Sequence, residues 1–338
     1  MSPLGNPSVP MYSSLCSSTA ALSSPESASG LGSAFAPPSG NAARAWSGVL
    51  AVLAAVAVHT VYLFFVTTVR GQQVEELVLN QSTHGHLIWS LGRPVLNVVS
   101  VAFVALGLAV VVVICFVRRR WALALQVAVL VGGANLTTQL LKDHIYSRPA
   151  LLPGWIYSNS LPSGHTTVAA SVSVALLIAV PRNFRPVAAV LGAGWTMITG
   201  VSTLAGRWHR PSDVIASVLV VMVWALAVCA FGSRTTRDEP DQTGEKLVSK
   251  SAYWISGILG VIGLVFSIAA ALNLGALWRH PNQLGVDTAG GNWLIRIFAG
   301  GDAVAFGGAT VGIIGVTLLA FSVLLLVRQA TAQPCLTR

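Results

Sequence analysis

Residues Arg207–Ser233 read RWHRPSDVIASVLVVMVWALAVCAFGS. Arg207, His209, Arg210 and Asp213 stand within seven residues of one another, and the twenty residues that follow carry no charge. A run of about 20 apolar residues is long enough to cross the hydrocarbon core of a bilayer as a helix. Pro211 suits a first helical position, where its missing N–H costs nothing. Asp213 then falls at the third helical position, from which a carboxylate reaches back over the helix start as in a capping box. The stretch therefore predicts a membrane-spanning helix whose first turn bears polar, reactive side chains.

The same pattern extends outward in both directions. Eight apolar runs are bounded by charge: Trp46–Val69, Pro94–Val117, Trp121–Leu141, Pro162–Val180, Pro186–Gly206, Val214–Ser233, Ser251–Trp278 and Ala303–Val327. The chain of 338 residues is 54% hydrophobic and only 9% charged, with a mean hydropathy of +0.71. Helices are the expected form, because a bilayer offers unpaired backbone groups no partner. The fold class is an all-α integral membrane protein.

A net charge of +9 raises the question of nucleic acid, but the basic residues lie in short loops between runs, not on one soluble face. They follow the positive-inside rule instead. With a cytoplasmic amino terminus, twelve of the twenty Lys and Arg fall on the cytoplasmic side and eight outside, and four of those eight belong to the motifs described next. The expected organisation is a disordered cytoplasmic tail at 1–44, a six-span catalytic core at 45–233, a polar cytoplasmic linker at 234–250, a two-span appendix at 251–328 and a tail at 329–338. The tail at 1–44 lacks the basic start of a cleavable signal peptide, so the first span is expected to be retained. The outer loop Arg70–Arg93 fits a short amphipathic helix.

Three polar stretches sit at the ends of runs: Lys142–Pro149, Pro162–His165 and Arg207–Asp213. An up-down topology puts all three on the outer side. Together they hold Lys142, Arg148, Arg207 and Arg210, three histidines and two aspartates. Ionisable groups at membrane depth are costly and mark function. Phosphoryl transfer is chiefly positioning and charge stabilisation, which Lys142 and the forked guanidinium of Arg148 can supply. Pro162 at a helix start would leave the amides of Ser163, Gly164 and His165 as an anion site. His209 is the expected nucleophile, with Asp213 fixing its tautomer, and His165 can protonate the leaving oxygen.

These motifs resemble those of the type-2 phosphatidic acid phosphatase family, whose pattern is a Lys…Arg-Pro segment, Pro-Ser-Gly-His, and Ser-Arg-x5-His-x3-Asp. The resemblance covers about residues 46–233. It implies a six-helix core shared with the vanadium haloperoxidases, and cleavage of lipid phosphates through a phosphohistidine without a metal or other cofactor. On this resemblance His209, Asp213 and His165 are catalytic, and Lys142, Arg148, Ser163 and Gly164 hold the phosphate. Two departures stand out. Five residues separate Lys142 from Arg148 where the pattern has six, and the Ser-Arg pair falls on Ser202-Thr203. Arg207 or Arg210 is then expected to replace the missing arginine, with Arg207 favoured as nearer the vacant slot.

Other residues carry plainer expectations. His59 reads as a packed core residue, and Glu75, Glu76, His84 and His86 as a solvated loop whose spacing is poor for a metal. Asp143, His144 and Tyr146 read as support for the site. Cys115 and Cys229 read as fillers, and the tryptophans near span ends as interfacial anchors. The functional expectation is hydrolysis of a phosphomonoester or diphosphate on an outer-leaflet lipid: polyprenyl diphosphate, which is preferred, phosphatidylglycerol phosphate or phosphatidic acid. The only partners expected are that lipid and the membrane. The alternatives are a phosphotransferase with a lipid or glycan acceptor, and a non-enzymatic lipid-phosphate binder or transporter.

Overall fold

A computed structural model describes residues 40–82, 109–111, 113–117, 119–153, 158–232, 250–279, 295, 297 and 304–332. His84 and His86, most of the run Pro94–Val117, and the tails and linker lie outside the described residues. The helices are α1 (Gly40–Val61), α2 (Val69–Gln81), α3 (Trp121–Leu140), α4 (Gly164–Ala179), α5 (Arg185–Ala205), α6 (Pro211–Phe231), α7 (Lys250–Arg279) and α8 (Val304–Thr331). No strand occurs among the described residues.

Six of these helices, counted with their flanking turns, are long and apolar enough to cross a membrane, and α4 is a shorter apolar helix. Large hydrophobic side chains cover their outer faces, among them Leu53 on α1, Leu125 on α3 and Leu272 on α7. The chain is a multi-pass membrane protein. The expected amphipathic helix in the outer loop is α2.

The core forms around α4, α5 and α6. Helix α6 packs against α1, α3, α4 and α8, and α4 lies between α3 and α5. Helix α8 shares this core: Leu318, Phe321, Leu324 and Leu325 are buried in the same cluster as Val174, Ala189 and Val221. Helix α7 lies mainly along α8. A Cβ on Gly263 would stand 2.8 Å from the Leu319 amide, and one on Gly315 would stand 2.7 Å from the Ser267 amide. Close backbone approach through small residues is how helices associate in lipid. Ser256 and Ser322 add reciprocal hydrogen bonds across the same contact.

Two connections set up the site. At its carboxyl end α3 widens into a π-helical turn, Leu141–Ile145, so Lys142 continues the helix instead of following it. Between α5 and α6 the chain turns tightly, with the Trp208 and His209 amides donating to the Thr203 carbonyl at 3.0 and 3.3 Å. Arg207 in that turn takes a left-handed φ of 58°.

Candidate active site

The charged and reactive residues of the three motifs lie at the ends of α3, α4, α5 and α6 or in the loops beside them, and these ends converge. The starts of α4 and α6 are tied directly. The Ser163 amide donates to the Asp213 carbonyl at 3.0 Å, and Ser217 Oγ lies 2.8 Å from the Ser163 carbonyl. The His165 and His209 rings meet edge to face with centroids 6.1 Å apart.

Pro211 begins α6 with Arg210 as the residue before it, and the Asp213 carboxylate accepts from the Arg210 amide at 2.9 Å. That is the arrangement the Pro211–Asp213 spacing predicts. The same oxygen, Oδ2, accepts from Ser160 Oγ at 2.6 Å and meets His209 Nδ1 at 3.3 Å. Asp213 is wholly buried, and His209 is 7% exposed. A buried carboxylate held by several donors and facing Nδ1 orients the imidazole, leaving Nε2 available for chemistry.

Arg148 arrives from the loop after α3. Its side chain is fully buried; Nη1 donates to Glu75 Oε2 at 2.8 Å, and Nη2 lies 3.8 Å from Asp213 Oδ1. Nε and Nη2 have no hydrogen-bond acceptor among the described residues. Two nitrogens of a buried guanidinium with unmet N–H groups favour an anion with several oxygens. The loop is fixed by residues whose role the sequence did not reveal. Gln72 on α2 donates to the Pro149 and Val66 carbonyls at 2.7 and 2.8 Å. Asn159 reaches the carbonyls of Lys142, Tyr146 and Leu161. Tyr146, expected to support the site, stacks on Tyr62 at 4.0 Å.

Glu75 corrects the expectation of a solvated loop. It is 1% exposed, paired with Arg148, hydrogen-bonded by Ser212 Oγ, and 3.9 Å from Arg210 Nε. Burial pushes its carboxyl above the ordinary range, with Arg148 opposing that shift. The sequence held one clue: two aspartates set against four cations leave charge to be balanced, and a third carboxylate answers it. His59, expected to be a packed, hydrogen-bonded core residue, keeps a hydrogen-bond partner but not the core position. It is exposed on α1, with Nδ1 3.4 Å from Tyr146 Oη.

At the start of α4, Pro162 lies outside the helix and Ser163 is the cap, its Oγ accepting from the Thr166 amide at 3.4 Å. Of the three amides expected to bind anion, that of Ser163 is already committed to Asp213. The Gly164 and His165 amides sit in the first turn, where a helix provides no acceptor. Lys142 is half-buried at the end of α3 and lies in electrostatic range of His165.

The two candidate replacement arginines differ sharply. Arg210 is 6% exposed, with Nη1 3.3 Å from Ser160 Oγ. Burial, with Arg148 nearby, lowers its affinity for its proton. Arg207 is exposed. Both line a cleft of about 220 Å³ with Glu76, Ser158, Ser160, Trp208 and His209. Thr203, where the family pattern has arginine, is fully buried and bonded to the Gly200 carbonyl at 2.8 Å. Among the described residues no group of three or more His, Cys, Asp or Glu is placed to hold a metal.

The sequence model of the PAP2 superfamily matches residues 123–237, a segment that contains all three motifs. That match supports a phosphatase-type activity on lipid phosphates. No curated protein and no solved structure matches the chain significantly. The segment that carries the three motifs, 123–237, is therefore similar to the PAP2 superfamily.

Proposed function

We propose that the chain hydrolyses a phosphomonoester or diphosphate of an outer-leaflet lipid through a phosphohistidine on His209, without a metal. The observation that carries this reading is the set His165, His209 and Asp213, with Nδ1 of His209 on the buried carboxylate and the second ring 6.1 Å away.

The phosphate enters against Nε and Nη2 of Arg148, the Arg210 guanidinium, the Lys142 ammonium and the amides of Gly164 and His165. His209 Nε2 attacks phosphorus in line, and the P–O bond to the lipid breaks. His165 gives its proton to the departing oxygen. Water then attacks phosphorus as the P–N bond breaks, His165 takes a proton from that water, and inorganic phosphate leaves with His209 restored. The Asp213 carboxylate holds the Nδ1 proton throughout and balances the charge that develops on the ring. Arginines aimed at developing phosphoryl charge lower the barrier most in a water-poor site.

The positive-inside distribution supports an outward-facing site in a plasma membrane, and the alanine-, valine- and glycine-rich composition fits a bacterial envelope. Purified protein in detergent or nanodiscs should release inorganic phosphate from a lipid phosphate, and His209→Ala should abolish that release while the protein still folds and inserts. Robust turnover by His209→Ala would overturn the reading.

A further inference from the structure

A second cavity of about 220 Å³ lies between α2, the start of α6, and the α7–α8 pair. Its walls are almost wholly apolar. On the α7–α8 side they are built from small residues such as Ala270, Ala309 and Gly312, which leave room where larger side chains would close it. Two wall residues, Glu75 and Pro211, also belong to the polar cluster: Glu75 pairs with Arg148 at 2.8 Å, and Pro211 follows Arg210 directly. The cavity thus backs onto the phosphate-binding groups, and apart from the start of α6 its walls come from outside the family match.

Its apolar wall is interrupted by Asn273. This residue is 4% exposed, and its Nδ2 has no hydrogen-bond acceptor among the described residues. Gly308 lets Asn273 lie flat against α8, since a Cβ there would fall on Asn273 Oδ1. Ser267 Oγ, in the same wall, is likewise buried without a partner among the described residues. Buried donors without acceptors are costly and rare. A purely hydrocarbon occupant would leave them so, whereas an acyl ester brings a carbonyl oxygen into an otherwise apolar space.

We infer that this cavity holds an acyl chain of the substrate, with the ester carbonyl accepting from Asn273, and that the substrate is therefore an acylated glycerolipid phosphate and not a polyprenyl one. The inference rests on the lipid phosphatase reading and adds a function for α7 and α8: they form the wall that selects the lipid. Chain selection by shape is modest per methylene, whereas a site built to pair a polar group rejects the analogue lacking it more strongly.

The test uses full-length protein in nanodiscs and two readouts. The first is photolabelling by a phosphatidic acid that carries a diazirine on its acyl chain, with crosslinks mapped by mass spectrometry. Labels should fall on the cavity walls of α7 and α8. Ala309→Leu, and independently the milder Ala270→Val, should cut them at least about fivefold. The second is turnover. Wild type should prefer ester-linked over ether-linked phosphatidic acid about tenfold, and Asn273→Leu should erase that preference. The same variants should leave turnover of a water-soluble aryl phosphate unchanged, which shows that they fold. Labels confined to other helices, labelling indifferent to both filling variants, or equal use of ester and ether lipids by wild type would overturn the inference. Labelling needs no turnover, so a chain that takes up the lipid at α7 and α8 yet releases no phosphate from any substrate refutes the phosphatase reading alone.

Discussion

Arg210 and Arg207 offer the sharpest separation of a proposed buried phosphate ligand from a surface charge. Arg210 has a side chain only 7% exposed, in contact with both Ser160 and Glu75. Replacing it with Gln removes a guanidinium from a site largely closed to water. A charge-assisted hydrogen bond contributes roughly 1.5–3 kcal/mol, which corresponds to a loss of about 10- to 150-fold in kcat/KM. Arg207 is exposed and screened. Its removal should cost no more than about 1 kcal/mol, by the scale of surface charges, or about fivefold. Arg210→Lys should recover part of the loss, since it restores charge without the fork. Steady-state kinetics on a lipid phosphate in mixed micelles, with both variants measured side by side, checks the order. Equal losses, or a larger one in Arg207→Gln, would refute the assignment of Arg210.

Asp213→Asn should lower kcat severely but less than His209→Ala, because it disturbs the tautomer and keeps the attacking nitrogen; equal activity to wild type would contradict the orienting role. Activity should survive EDTA, and loss on chelation restored by magnesium or zinc would contradict a metal-free mechanism. Glu75→Ala strips Arg148 of its buried partner and should lower unfolding free energy by about 3–5 kcal/mol, read from detergent-solubilised thermal unfolding. Burial holds the Glu75 carboxyl above its ordinary value, so the folded chain binds that proton more tightly than the unfolded one. That contribution is complete below about pH 4.5, the ordinary value, and is lost as pH rises through the folded-state value. Glu75→Gln should remove this dependence, and an identical pH profile in the variant would exclude Glu75 as its source.

Much of this was legible in the chain because lipid simplifies the code. Apolar runs ended by charge marked α1, α3, α5, α6, α7 and α8, and Pro211 with Asp213 gave the geometry of a helix start nearly atom for atom. What escaped was the partnership of residues far apart in sequence. Glu75 looked like one carboxylate of a polar loop. Only the packing of α2 over the starts of α6 and the Arg148 loop turns it inward. Ser163 shows a subtler limit: its place at a helix start was readable, but the Asp213 carbonyl that takes its amide belongs to another helix. The difference in burial between Arg207 and Arg210 likewise depends on a tight turn. Its left-handed residue is Arg207, which directs that side chain to the surface while Arg210 stays inside.

The central claim is a covalent phosphoryl group on His209. Wild-type protein mixed with a radiolabelled lipid phosphate and quenched within milliseconds should carry label that is stable to alkali and labile to acid, on the peptide containing His209. His209→Ala should carry none, while a variant lacking His165 should still form label slowly. Phosphate release at normal rates with no label on His209, or label on any other residue, would contradict the account.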